Sequence, residues 1–285
     1  MRSGALRRAG SRGDSREGRH ASQEAFPPPK DYSAQAPSEL CGAEQVKRES
    51  GLRYAAMSDQ GKRERNEDAY FAGEVAGYHI FAVADGLGGH ASGDVASRMA
   101  IEVLKETAGE GFGETSPLAL LERAFQRANA AVCTYNREKH LNAATTLSAA
   151  IVDESGRCWI GTVGDSRAYI ITPSSIWHTR DQSYVQSLLE AGVLSPAEAM
   201  LHPGKNILTQ ALGLETRVQV DLEERNITGA VLVVSSDGLH DYVPERAIQE
   251  VVTTHEPDAA CRMLIDAAKD SASTDNITVI VARAA

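Results

Sequence analysis

Three aspartates stand at the boundaries of apolar runs rather than on helix faces. Asp85 follows the run that ends at Ala84, in Asp85-Gly86-Leu87-Gly88-Gly89-His90, and Asp237 follows another, in Ser235-Ser236-Asp237-Gly238-Leu239. Asp275 precedes one, in Thr274-Asp275-Asn276-Ile277. In an antiparallel sheet the end of one strand and the beginning of its neighbour share an edge, so the three carboxylates can converge there. Carboxylates gathered at a buried edge repel, which is costly unless a cation joins them or one takes up a proton. An all-oxygen donor set suits Mg²⁺ or Mn²⁺ better than zinc, which prefers His and Cys. Gly86 and Gly238 follow their aspartates directly and, lacking a Cβ, let the backbone turn sharply or approach an ion, so the Gly86 carbonyl is a candidate ligand. A single Asp-Gly pair is an ordinary turn. Two at strand ends, with Gly164-Asp165-Ser166-Arg167 at an expected hairpin tip and Asp-Asn before a last strand, are not explained by turns alone.

Positioning these groups requires strands, and short β-rich runs occur at 78–84, 158–163, 167–171, 230–234 and 277–281, each bounded by turn or polar residues. A first strand is expected at 52–56. Helical patterns lie between them. One covers 94–108, with Asp94 as its expected N-cap, and another covers 117–139, with Leu121, Phe125, Ala128 and Val132 at helical spacing. Others are expected at 182–191, 244–254 and 257–271. Strands in succession mixed with helices in pairs predict an α+β layered domain rather than alternating βαβ units.

The chain has 285 residues, a formal net charge of -10 and a pI near 5.3. That balance argues against a general nucleic-acid or anionic-membrane binder, because both need a basic surface. The four cysteines, Cys41, Cys133, Cys158 and Cys261, form no CxxC pair, and reduced thiols in a cytoplasm fit them best. No run approaches the roughly 20 apolar residues of a membrane span. Residues 1–50 are rich in Arg, Ser, Gly, Pro and Gln, with six arginines against two acids in the first twenty. They read as a disordered, solvated tail preceding a domain at 51–285.

From Leu52 onward the chain resembles the PPM family, the metal-dependent serine/threonine phosphatases of the type 2C class, and among them the compact bacterial members. The resemblance is carried, in order, by Ser58-Asp59-Gln60-Gly61 with Arg63-Glu64-Arg65-Asn66-Glu67-Asp68, by Asp85-Gly86-Leu87-Gly88-Gly89, and by Ala144-Thr145-Thr146-Leu147. Gly164-Asp165-Ser166-Arg167, Ser236-Asp237-Gly238-Leu239 and Asp275-Asn276-Ile277-Thr278 complete it. It implies a four-layer α-β-β-α sandwich of two antiparallel sheets flanked by helix pairs. It implies two Mn²⁺ or Mg²⁺ ions, with Asp85 bridging both, the Gly86 carbonyl completing the first site, and Asp237 and Asp275 binding the second. Glu67 and Asp68 then hold metal-bound waters, and a third, weaker site maps to Asp165, Asp237 and Asp241. Arg63 grips the substrate phosphate, for which a guanidinium is better shaped than an ammonium.

The expected reaction is hydrolysis of phosphoserine or phosphothreonine on proteins, carried by Arg63, Asp85 and Asp237, by a monomer opposing a bacterial-type serine/threonine kinase. Two metals a few ångströms apart lower the pKa of a bridging water and neutralise phosphate charge during in-line attack. Two departures stand out. Leu87 occupies the place where eukaryotic relatives carry a histidine proposed as general acid, and His90, three residues on, reads as a helix-entry or surface histidine. Gln182 stands where the family often has histidine before its flap, which maps to 182–220. A non-catalytic phosphoprotein-binding module and a hydrolase of small phosphomonoesters are the alternatives; the first is expected to lose metal carboxylates, and this chain keeps them.

Overall fold

The computed structural model describes residues 47–49, 51–88 and 92–284. Apart from residues 47–49 the expected tail lies outside the described residues, as does His90. In chain order the elements are β1 (Lys47–Glu49), β2 (Leu52–Asp59), β3 (Asp68–Val75), β4 (Tyr78–Leu87), α1 (Gly93–Gly111), α2 (Pro117–Lys139), β5 (Ala144–Thr145) and β6 (Leu147–Val152). There follow β7 (Arg157–Val163), β8 (Arg167–Thr172), β9 (Ser175–His178), α3 (Tyr184–Glu190), α4 (Pro196–Leu201) and β10 (Asp221–Asn226). The last are β11 (Val231–Ser235), α5 (Asp237–His240), α6 (Glu245–Thr254), α7 (Pro257–Asp270) and β12 (Ile277–Ala284).

The strands form two antiparallel sheets. One has the order β1-β2-β12-β11-β8-β9, the other β10-β7-β6-β4-β3, with β5 added beside β4. Alternation along each strand sends side chains to two different cores. In β4, Phe81 and Val83 face the other sheet, where they meet Leu232, Val234, Ile280 and Ala282, while Ile80, Ala82 and Ala84 pack with Met99, Leu121 and Phe125 of α1 and α2. In β12, Val279 and Val281 turn the other way, onto Ile248 of α6 and Leu264 of α7. Three cores separate four layers, which is the α-β-β-α sandwich expected from the motifs.

Several local expectations shift. Asp94 is not the N-cap of α1; Ser92 is, and Asp94 sits in the first turn, where its carboxylate suits the helix dipole and accepts from Arg98 Nη2 at 3.0 Å. The segment 164–167 is not a hairpin tip. β7 and β8 belong to different sheets, and the turn after Gly164, at φ 96°, carries the chain from one to the other. The strand expected to end at Ala84 runs on to Leu87, so Asp85 lies inside β4. Strand pairing begins at Lys47, which pairs with Tyr54, four residues before the expected domain start. No helix among the described residues is long and apolar enough to cross a membrane.

Candidate active site

The register of the sheets brings the acidic residues together. Asp85 lies directly opposite Asp68 across the β3–β4 pair. In the other sheet β11 and β12 are antiparallel neighbours with Ser235 opposite Val279, so Asp237, just past the end of β11, and Asp275, just before β12, emerge at one edge. Asp85 reaches that edge from the facing sheet, and Asp165 from the turn between the sheets. A cavity of about 770 Å³ is lined by Arg63, Arg65, Glu67, Asp85, Gly86, Leu87, Asp165, Asn206, Leu208, Asp237 and Asp275. The convergence expected from strand ends therefore holds within one sheet for Asp237 and Asp275, and across two sheets for Asp85.

Burial and mutual repulsion mark this cluster. Burial, then the charges of Asp68 and Asp237, holds the Asp85 carboxyl well above the usual range. Burial, then Asp165 and Asp275, does the same to Asp237. Asp165 is pushed up to about 7 by burial and by Asp181 and Asp241, and Asp68 up to about 6, mainly by burial. Glu67 rises for the same first reason, with Asp94 as the next cause. Oδ1 of Asp68 and Oδ1 of Asp237 are buried without a hydrogen-bond partner. A buried carboxylate oxygen without a donor is what a cation would satisfy, and every donor here is an oxygen, so the residues fit hard divalent ions. Among the described residues no three Asp, Glu, His or Cys side chains close on one point by themselves. Asp275 is engaged by other partners: its Oδ2 accepts from Arg63 Nη2 at 2.6 Å and its Oδ1 from the Asn276 N–H at 2.8 Å.

The loop carrying Arg63 and Glu67 is shaped from a distance. Asn276 Nδ2 donates to the carbonyls of Gln60 and Arg65, both at 2.9 Å, and its Oδ1 accepts from the Glu67 N–H at 2.8 Å. Asp68 Oδ2 accepts from Ser236 Oγ at 2.8 Å and Thr278 Oγ1 at 2.6 Å, tying the two sheets together. Asp85 is clamped by two residues distant in the chain: its N–H donates to Thr146 Oγ1 at 2.9 Å, and its carbonyl accepts from the Thr146 N–H and from Thr145 Oγ1, both at 2.9 Å. Thr146 Oγ1 also meets Ser166 Oγ at 2.6 Å, which couples the clamp to the turn holding Asp165.

The glycines serve packing more than ion approach. A Cβ on Gly86 would lie 2.3 Å from the carbonyl oxygen of Gly93 and 2.6 Å from that of Glu67. On Gly238 it would lie 1.9 Å from the carbonyl oxygen of Asn276. Asp241, expected beside Asp165 and Asp237, is exposed and accepts from Lys205 Nζ at 2.8 Å, a partner that spacing gave no reason to expect. Gln182 does not face substrate. It is buried, accepts from the Gly164 N–H at 3.0 Å and donates to the Gln219 carbonyl at 3.1 Å, closing the base of the flap.

Comparison with known proteins adds to this geometry. A family model described as Protein phosphatase 2C matches residues 57–263. The serine/threonine protein phosphatase PstP of Mycobacterium tuberculosis is 34% identical over 235 residues, which cover 81% of this chain and 45% of that protein. The chain thus spans about half the length of this relative. The serine/threonine phosphatase stp of Listeria monocytogenes is 37% identical over 214 residues, covering 71% of this chain and 83% of that protein. The crystal structure of the catalytic domain of PstP in complex with two manganese ions superposes with a TM-score of 0.71 at 34% identity, covering 81% of this chain and 97% of that one.

Proposed function

The chain belongs to the protein phosphatase 2C family, and from that premise we propose that it catalyses metal-dependent hydrolysis of phosphoserine and phosphothreonine on proteins. The observation that carries this reading is the convergence of Asp85, Asp165, Asp237 and Asp275 on a cavity that Arg63 also lines, with Asp68 beside Asp85. Asp85, the Gly86 carbonyl, Asp237 and Asp275 would hold two Mn²⁺ or Mg²⁺ ions, and Glu67 and Asp68 would hold water beside them. When bound, such ions neutralise phosphate charge and lower the pKa of water. Asp165, Asp237 and Asp241 offer a third, weaker position, for which Asp241 must exchange Lys205 for the ion.

Arg63 has a second task. Its guanidinium stands on Asp275 at 2.6 Å, so a substrate phosphate competes for a donor already held at the mouth of the site. Leu87 lines the cavity where a general acid would stand and has no proton to give. The unbridged, buried thiols of Cys158 and Cys261, both pushed up to about 12 by burial, accord with a reducing cytoplasm. A bacterial-type serine/threonine kinase supplies the substrate, and the domain acts as a monomer.

The direct test is release of phosphate from a phosphothreonine peptide in Mn²⁺. Replacing a partner behind a metal ligand costs about 10–100-fold, so Asp237→Asn, which alters a ligand itself, is expected to lose more than about 100-fold. Chelator should abolish turnover by the wild type. Activity that survives both treatments refutes the two-metal reading.

A further inference from the structure

Asp165 and the pair Asp237 and Asp241 reach the cavity edge on separate pieces of chain, and sheet pairing alone does not fix their spacing. β8 and β11 are antiparallel neighbours whose last rung at this end is Arg167 opposite Ser235. Asp165 lies two residues before that rung and Asp237 two residues past it, where the ladder has ended. Beyond it the two segments turn to other partners. The Ser236 N–H donates to the Thr278 carbonyl at 3.1 Å, the Gly164 N–H donates to Gln182 Oε1 at 3.0 Å, and Ser166 Oγ meets Thr146 Oγ1 at 2.6 Å. α5 is a single turn from Asp237 to His240, with Asp241 directly after it. A helix that short has little stability of its own, so its placement is set by what its side chains touch.

Leu239 anchors α5 in the core beneath α6 and α7. His240, its last residue, works on the other side of the ladder's end. Its Nδ1 lies 3.1 Å from Ser235 Oγ, on the last rung, and its ring centre stands 6.4 Å from that of Tyr169 in β8. The ring also bonds to the Asp165 backbone, and because that contact draws its pKa upward the backbone group is the carbonyl. Burial, then the charges of Arg167 and His178, nevertheless holds the ring well below the usual histidine range, so it is neutral. A neutral imidazole has one donor and one acceptor, and a carbonyl only accepts. The N–H therefore serves Asp165, and Nδ1 accepts from the Ser235 hydroxyl. One ring ties the end of β11, the single turn of α5 and the turn before β8.

We propose that His240 is a positioning residue for the third cation position: by bonding Ser235 and the Asp165 carbonyl at once, it sets the separation between Asp165 and the short helix that carries Asp237 and Asp241. The inference rests on the phosphatase reading above and deepens it, because the spacing of the carboxylates assigns no task to the histidine between them. Groups that hold metal ligands in place are worth about 10–100-fold in metal affinity.

The test counts Mn²⁺ bound to the full chain by loss of the free ion's paramagnetic resonance signal, beside the melting temperature of the metal-free protein. The wild type is expected to bind two ions tightly and a third more weakly. His240→Phe keeps the bulk of the ring and gives up both bonds, and is expected to weaken the third event about tenfold or more while leaving the first two unchanged. His240→Gln, whose amide still donates toward the Asp165 carbonyl, is expected to recover most of that loss. An unchanged third event in the Phe variant overturns the proposal. So does a Phe variant in which all three events weaken together with the melting temperature, since His240 is then a packing residue. A Gln variant that melts like the wild type but binds the third ion no better than the Phe variant overturns it too, as does absence of a third event in the wild type. Absence of any Mn²⁺ binding by the wild type fails the metal-dependent phosphatase reading itself.

Discussion

At the scale of single residues, the site depends on what stands behind each carboxylate. Gly238 is the sharpest case, because its backbone conformation is open to other residues and only the Asn276 carbonyl, 1.9 Å from a notional Cβ, forbids one. Gly238→Ala must push that carbonyl and the neighbouring Asp275 aside. The expected cost is about 1–3 kcal/mol of stability, as for other overpacked positions, with weaker Mn²⁺ binding by calorimetric titration; unchanged binding and melting would show that the contact relaxes freely. Asp85, Asp237 and Asp275 were legible from residue type and place along the chain. Their supports were not. Asn276 governs the loop of Glu67 across a separation of 209 residues, and Thr145 and Thr146 clamp Asp85 through hydroxyls that leave no periodic trace. A short polar side chain in a sequence does not announce which distant backbone it will hold.

At the scale of elements, helices and strands with strong patterns were legible nearly to their ends, and α2 runs from Pro117 to Lys139 as its apolar spacing predicts. Its Ser116 hydroxyl accepts from the Ala119 N–H and its last turn carries Arg137 and Lys139, so both ends are chemically marked. What spacing does not contain is which strands become neighbours, and so the turn at 164–167 reads as a hairpin although it joins different sheets. The N-terminal edge is the testable case. A chain starting at Lys47 is expected to melt as the full protein does, because pairing of β1 with β2 begins there. A start at Met57 removes most of β2, including Leu52 and Tyr54, 6% and 3% exposed, which pair with Ala284 and Ala282. Burial of two such side chains contributes about 1.5–3 kcal/mol each, against roughly 5–15 kcal/mol for a whole domain. Circular dichroism should show a marked loss of melting temperature; an unaltered transition would mean that β12 needs no neighbour on that side.

At the scale of the whole molecule, the two sheets are held apart by one core yet must present their carboxylates at a single edge, and the repulsion is a property of the assembled sandwich. Asp165 and Asp68 titrate near 7 and 6 in the fold, against about 3.9 in the unfolded chain. A carboxyl whose folded pKa is raised destabilises the fold fully above that pKa, and the penalty fades as pH falls toward the unfolded value. The metal-free protein is therefore expected to melt at higher temperature as pH drops from about 8 to about 5. Asp165→Asn should flatten that slope. With saturating Mn²⁺ the sign reverses, since protons then compete with the ion for the same oxygens. A metal-free melting temperature that rises with pH over this range contradicts the assignment. Scanning calorimetry at a series of pH values, with and without Mn²⁺, measures all of this. The same architecture bears on when activity can first exist. β12, the last of the described strands, lies in the middle of its sheet between β2 and β11, and Asp275 stands just before it. Until that strand has left the ribosome its sheet lacks a middle strand and the set of carboxylates lacks Asp275, so the proposed site cannot assemble on a nascent chain before β12 emerges.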